Sequence, residues 1–331
     1  MEVISVLKSD HGILNLVKRN RLNKSLMIDT AIGVDIGGTR TKSGLVNIHT
    51  GEVLNIILHA TEADSETKFL SQLDSYIQQH QRFAKNTGYH ITGIGLGVPG
   101  FVNAEGVVDS TYGFLPFMED YPLAYVIENK YKLLCKIDND ARAVALGEAI
   151  YGKGKGFNRV LVLTLGTGLG LGFVKHRRFE DALPYAHMGG HMTITHNDYA
   201  CYCGKTGCLE SLVSSSGIAY EGQKINWSEK YPEIPLNGLA IFEAANDGNK
   251  DAQNIVQVLL NYLRTGIQNY INLYAPDIVV IGGGIAKGIH RYAAHLKAND
   301  YLKPYKRYHV EILVSELQEN AGILGCAALL Q

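Results

Sequence analysis

An α/β fold built twice from one unit, with ligands held between the two copies, is what the sequence predicts. Two patterns carry that expectation. A hairpin of short apolar strands around a glycine turn occurs near residue 37 and again near residue 167. Each hairpin is followed by helical periodicity and then by a strand running into a glycine loop. The length, 331 residues, is enough for two substantial cores.

In the first copy, Ile32–Ile36 reads as a strand, Gly37-Gly38-Thr39 as its turn and Thr41–Val46 as the returning strand. Thr50-Gly51 turns the chain into a third strand, Val53–His59. Helical spacing covers Thr67–Lys85, and Ile91–Gly97 is again a strand. A helical run, Ala141–Tyr151, follows Asp138-Asn139-Asp140. In the second copy, Val160–Leu165 and Leu169–Val174 flank Gly166-Thr167-Gly168. Helical periodicity fills Asp251–Tyr274 and stops before Pro276, as the clash of proline with a preceding helical residue requires. Asp277–Ile281 then ends in Gly282-Gly283-Gly284. Residues 12–28 have helix-like spacing with a basic face. They are too short for a whole winged-helix domain and read as a solvated helix or an arm against a neighbouring subunit.

Composition narrows the function classes. With 46% hydrophobic and 19% charged residues the chain is of ordinary globular type. A net charge of −1 offers no broad footprint for nucleic acid or an anionic membrane. Neither a spanning apolar run nor a signal-peptide core is present, so the expected location is cytoplasmic. Of five cysteines, Cys135 and Cys326 sit alone in apolar surroundings and read as core residues. Cys201, Cys203 and Cys208 fall within eight residues, which in a reducing compartment points to metal before disulfide.

Glycine turns at strand ends let backbone N–H groups approach phosphate oxygens. Three stand at matching places: Asp35–Thr39, Leu165–Gly170 and Gly282–Gly284. The first also carries a carboxylate. Asp35 can hold Mg²⁺ while Gly37, Gly38 and Thr39 approach the phosphates, or it can merely shape the turn. Arg40 and Lys42 are candidate phosphate contacts, although alternate strand residues equally point to solvent. Two other motifs fail. Gly95-Leu96-Gly97-Val98-Pro99-Gly100 has dinucleotide-fingerprint spacing, but Pro99 lies inside it and no helix opens at Gly100. Gly204-Lys205-Thr206 lacks the earlier glycine of a P-loop. An NAD-dependent dehydrogenase is thereby set aside.

Taken together, GVDIGGTRTKSGLV (33–46), GIGLGVPGFVN (93–103), IDNDARAVALGEAIYGKGKG (137–156), LTLGTGLGLG (163–172), GGHMTI (189–194), CYCGKTGCLES (201–211) and VVIGGGI (279–285) resemble the ROK family of sugar kinases and sugar-responsive repressors. The resemblance covers nearly everything after residue 30. It implies a two-domain actin-like (ribonuclease H-like) fold. Residues 1–30 would form an extension, 31–137 with 316–331 a small domain, and 138–315 a large domain bearing the metal loop, with ATP and sugar in the cleft. Kinases of this family use Mg-ATP on hexoses or their derivatives, usually as homodimers or homotetramers. No nucleic-acid or membrane partner is expected here.

Residue by residue, the resemblance makes Asp140 the base that takes the proton of the attacking sugar hydroxyl. Capping of the following helix by Asp138 or Asn139 is the competing role for that cluster, and the two are compatible. Asn139, Gly100 and Asn103 would line the sugar site. Lys42, Gly166, Thr167, Gly168, Gly282, Gly283 and Gly284 would join the nucleotide loops around Asp35. His191 stands ten residues before the C-x-C-x₄-C run, and four such ligands suit a structural tetrahedral zinc. The family's zinc histidine also touches the sugar, as does a glutamate just after the last cysteine; these are His191 and Glu210. One departure stands out. Family kinases carry a glutamate three residues before the histidine, and here that residue is Met188. His187 could substitute, or the sugar could be modified at that end. Tyr112-Gly113-Phe114 likewise stands where the family has Asn and Trp. An ATP-dependent, glucokinase-like hexose kinase is the expected function, with a non-catalytic sugar sensor of the same family as the alternative.

Overall fold

The structure is a computed structural model describing residues 27–111, 115–179, 187–297 and 306–331. The basic segment before Met27 and the Tyr112-Gly113-Phe114 segment lie outside the described residues.

Two five-stranded sheets share one strand order. The first runs β3–β2–β1–β4–β7, from β1 (Asp29–Ile36), β2 (Arg40–Asn47), β3 (Val53–Ala60), β4 (His90–Val98) and β7 (Leu134–Asn139). A small hairpin, β5 (Phe101–Val102) and β6 (Val108–Asp109), projects beyond β4. The second sheet runs β10–β9–β8–β11–β12, from β8 (Arg159–Leu165), β9 (Leu169–Lys175), β10 (Arg178–Phe179), β11 (Ile278–Gly282) and β12 (Glu311–Val314). In both, three antiparallel strands are continued by two parallel ones. The duplication expected from the glycine turns is therefore present strand for strand, and the arrangement is the two-domain actin-like α/β fold. Strands β1 and β11 are almost wholly buried, as parallel-sheet strands covered on both faces must be.

Helix α1 (Glu66–Thr87) lays Phe69, Leu73, Tyr76, Ile77 and Ala84 along one face, at the three- and four-residue spacing that meets a sheet. Burying each large apolar side chain stabilises by roughly 1.5–3 kcal/mol. Gly88, at φ 76°, stops the helix by donating its N–H to the Ala84 carbonyl. α2 (Leu123–Tyr131) leads into β7. On the second sheet, α6 (Gly238–Asn246) is followed by α7 (Lys250–Tyr274), which starts at an Asn249 cap whose side chain accepts from Ala252 N at 3.0 Å. Helix α7 buries Ile255, Leu259, Leu263, Ile267 and Tyr270.

Two small-residue helices join the halves. α3 (Asp140–Ile150) sets Ala145 and Ala149 against Val160, Val174 and Val280 of the second sheet. α8 (Ala321–Ala328) sets Ile323, Leu324 and Ala327 against Ala31 and Val46 of the first. The helices cross where Gly147 meets Gly325, and a methyl on Gly147 would come within 2.7 Å of the Gly325 nitrogen. Close packing of this kind fixes the start of α3, and hence Asp140, relative to both sheets.

Candidate active site

Asp140 opens α3 directly after β7, at the junction of the two sheets. Asn139 is the N-cap: its side-chain oxygen accepts from Ala141 N at 3.0 Å and Arg142 N at 3.1 Å. Its amide nitrogen donates to the Gly100 carbonyl at 2.9 Å and to Asp140 Oδ1 at 3.0 Å. Asp138 stands one residue before the cap, where its Oδ1 accepts from Asn139 N and from Arg142 Nε, both at 2.7 Å. One cluster thus ties the Gly100 loop, the helix start and the Asp140 carboxylate together. Asp140 is half-buried, and burial raises its pKa to about 6 against the hydrogen bonds from Ala141 and Asn139.

Asp35, at the end of β1, lies against the first turn of α8, where a side chain on Gly322 would collide with its Oδ2. Burial and then the nearby Asp140 charge raise its pKa to about 7, while Lys42 pulls the other way. Beyond it Gly37 N–H closes the turn onto Arg40 O at 2.9 Å, and Gly38 and Thr39 are exposed. Lys42, near enough to Asp35 to act on its charge, is tied to the C-terminal segment. Its ammonium donates to the Glu319 carbonyl at 2.9 Å and to Asn320 Oδ1 at 3.2 Å, so it fastens β2 to the chain entering α8.

The second and third glycine loops meet. Gly283 has φ +88°, and a Cβ there would reach within 2.6 Å of the Leu165 nitrogen, so only glycine fits the contact. Ile285 N donates to Leu165 O at 3.0 Å, which brings Gly282–Gly284 beside Gly166–Gly168. Gly166 O in turn accepts from Ser215 N and Oγ at the start of α5 (Ser215–Lys224). Thr167 is exposed at the tip, and Gly168 faces the Glu210 carboxylate.

His191, Cys201, Cys203 and Cys208 place one donor atom each within 4.8 Å of one another. Cys203 Sγ and Cys208 Sγ are 3.6 Å apart, and His191 Nδ1 lies 3.4 Å from Cys201 Sγ. Tetrahedral ligands about 2.3 Å from a common centre stand about 3.7 Å from each other, so the set has the dimensions of a closed thiolate–imidazole metal site. Burial, with the Lys205 charge in support, holds the His191 pKa below its usual value, which leaves the imidazole neutral as a ligand must be. The turn bearing it, Met188–His191, is anchored by Tyr270, whose hydroxyl donates to Gly189 O at 2.9 Å.

His191 faces two ways. Nδ1 belongs to the cysteine cluster; Nε2 points to Glu210 Oε2 at 3.8 Å and to the Tyr202 hydroxyl at 3.1 Å. Glu210, on α4 (Leu209–Val213), is buried, and burial raises its pKa to about 7. Other expected residues have more structural roles. Asn103 is exposed, and its oxygen accepts from Glu105 N and Val107 N to form the tip of the β5–β6 hairpin. Gly100, at φ +97°, turns the chain into that hairpin, and no helix opens there. His187 packs its ring on Phe101, centroids 5.1 Å apart, joining the large half to the Gly100 loop. Met188 is half-buried at the start of the His191 turn. Two residues at the site escaped the sequence analysis. Tyr202, between two cluster cysteines, was legible as a neighbour; Phe101 carried no signal beyond following Gly100. Cys326, read as core, is buried beside both Asp35 and Asp140, its thiol donating to Val34 O at 3.1 Å.

Two sheets of one strand order, joined through packed small-residue helices with Asp140 at their junction, define a two-domain actin-like protein. Residues 31–331 match the family model described as "ROK family", and the chain belongs to that family. It is 31% identical over 315 residues to a glucokinase of Thermotoga maritima, covering 91% of this chain and 96% of that one. It is 30% identical over 313 residues to a putative xylose repressor of Caldicellulosiruptor sp., covering 90% and 77%. A ROK family glucokinase from Streptomyces griseus, solved with glucose and AMPPNP, superposes with a TM-score of 0.74 at 25% identity, covering 91% of this chain and 98% of that one.

Proposed function

We propose that the chain transfers the γ-phosphoryl group of ATP to a hydroxyl of a hexose or hexose derivative, with Asp140 as general base. The observation that carries this reading is the setting of Asp140. It is a half-buried carboxylate with a pKa of about 6, beside Gly100 and opposite Asp35. A base poised just below neutral pH is ionised and still accepts a proton readily, which is worth ~10²–10⁴-fold in rate. The sugar hydroxyl would lose its proton to Asp140 as its oxygen attacks the γ-phosphorus and ADP leaves.

Gly37, Gly38, Thr39, Gly166, Thr167, Gly168, Gly282, Gly283 and Gly284 would supply the nucleotide loops, and Asp35 would hold Mg²⁺. The ion would neutralise phosphate charge. Gly100, Asn139, His187, the Nε2 side of His191 and Glu210 would line the sugar site, with Asn103 shaping its loop. The likeness to glucokinases, one of them solved with glucose, supports this reading. We take 31–137 with 316–331 as the small domain, 138–315 as the large one, and a homodimer or homotetramer as the assembly.

Zinc is proposed for the His191, Cys201, Cys203 and Cys208 cluster. Three thiolates and a neutral imidazole around a dication leave one negative charge, and Lys205, whose Nζ donates to His191 O at 3.1 Å, balances it. With four protein ligands the site is closed, so its part is to hold His191 and the loop bearing Glu210 in place.

A coupled assay of ADP release across a hexose panel, including 1-substituted and N-acetylated sugars, tests the function. Sugar-dependent ADP release is expected. Sugar binding without ADP from any member would favour a sensor, the reading that the xylose-repressor likeness keeps open.

A further inference from the structure

Tyr202 sits between Cys201 and Cys203, so the metal cluster fixes its backbone on both sides. Its side chain is arranged unlike that of an ordinary surface tyrosine. The residue is 56% exposed, yet its hydroxyl points inward, 3.1 Å from His191 Nε2 and hydrogen-bonded to Glu210. The ring stands edge-on to the imidazole, centroids 5.0 Å apart and planes at 82°. His191 and Glu210 are both only 6% exposed. One solvent-facing phenol therefore covers two buried polar groups.

The direction of the hydrogen bonds follows from chemistry. Nδ1 of His191 faces the cysteine sulfurs, so its lone pair is used there and Nε2 carries the proton. Nε2–H then donates to the Tyr202 oxygen, and the Tyr202 O–H donates to the Glu210 carboxylate. The phenol serves at once as acceptor and donor between two groups whose facing atoms are 3.8 Å apart. A sugar hydroxyl has this same double character and can replace the phenol bond for bond. Glu210 also accepts from the Leu169 amide, yet a bare position there would still cost each buried group one hydrogen bond, which is costly.

We infer that Tyr202 is a specificity-determining placeholder: its hydroxyl occupies the position of one sugar hydroxyl between His191 and Glu210, and substrate binds by displacing it. This rests on the sugar site proposed above. The ring swings outward into solvent on binding while its backbone stays fixed by the cluster. A ligand lacking a donor–acceptor hydroxyl at that point cannot make good the two lost bonds and leaves the tyrosine in place. Part of the discrimination among sugars thus comes from competition with the protein's own side chain.

Calorimetric titration of the metal-loaded protein with glucose, mannose and N-acetylglucosamine, in wild type and Tyr202→Phe, tests the inference. The phenylalanine keeps the ring and removes the competing hydroxyl, so the sugar that binds should do so about threefold to tenfold more tightly. Tyr202→Ala, which removes the ring as well, should also bind more tightly. Metal content and melting temperature show that both variants stay folded. Unchanged or weaker binding in both variants overturns the placeholder and leaves the sugar site standing. If wild type binds none of the sugars, the sugar site and the placeholder fall together.

Discussion

Asp35 and Asp140 come from different elements, the end of β1 and the start of α3, yet lie close enough that the charge of Asp140 raises the pKa of Asp35. Two carboxylates are held in one poorly solvated space, at about 7 and about 6. Unless a cation joins them, such a pair repels.

A pH dependence follows for Asp140. A general base works only when ionised, so kcat/KM should climb as pH rises through about 6 and level off above it. Initial rates between pH 5 and 8 at saturating Mg-ATP check this. A profile flat across that range would remove Asp140 from the rate-limiting proton transfer.

Asp35→Asn should stabilise the unliganded protein while impairing it as a catalyst. The folded pKa of about 7 lies above the ordinary aspartate value of 3.8, so the native state binds the proton more tightly. The penalty of burying the charge is absent below about pH 4, grows up to about 7 and is constant beyond. Removing it should add about 1–3 kcal/mol at pH 8 and nothing at pH 3.5. Urea melts at the two pH values measure the difference, and the same variant should show a raised requirement for Mg²⁺.

Cys208→Ser should abolish stoichiometric metal binding and lower stability by about 2–5 kcal/mol. Because the proposed sugar site shares His191 with the cluster, sugar affinity should drop at least about tenfold, whereas ATP binding without sugar should not change. Metal analysis and separate titrations with sugar and nucleotide distinguish these effects. A variant that loses metal but binds sugar normally would show the two sites to be independent.

Lys42→Met should cost about 1 kcal/mol of stability through the lost Glu319 and Asn320 contacts, and leave the KM for ATP within about twofold. A KM raised by an order of magnitude would restore Lys42 to the phosphate site.

Strands, turns and the long helices were legible because their signals are local: glycine turns between apolar runs, helical spacing, and Pro276 after Tyr274. The four cluster residues were legible because cysteines at that spacing have few other uses. Lys42 was not. A strand residue's partner is set by tertiary structure, and Glu319 is 277 residues away. Asn103 read as a ligand because its loop matches the family, whereas its oxygen is used by its own turn. Tyr202 lay in full view between two cysteines, but the inward aim of its hydroxyl depends on where His191 and Glu210 meet.

In the proposed reaction Asp140 takes a proton from a bound hexose while ATP donates its phosphoryl group. Comparison of wild type with Asp140→Asn, measuring both hexose-dependent ADP release and hexose affinity, tests it most directly. Turnover should fall ~10²–10⁴-fold with affinity kept within a few fold. An Asp140→Asn protein that turns over at the wild-type rate would contradict it.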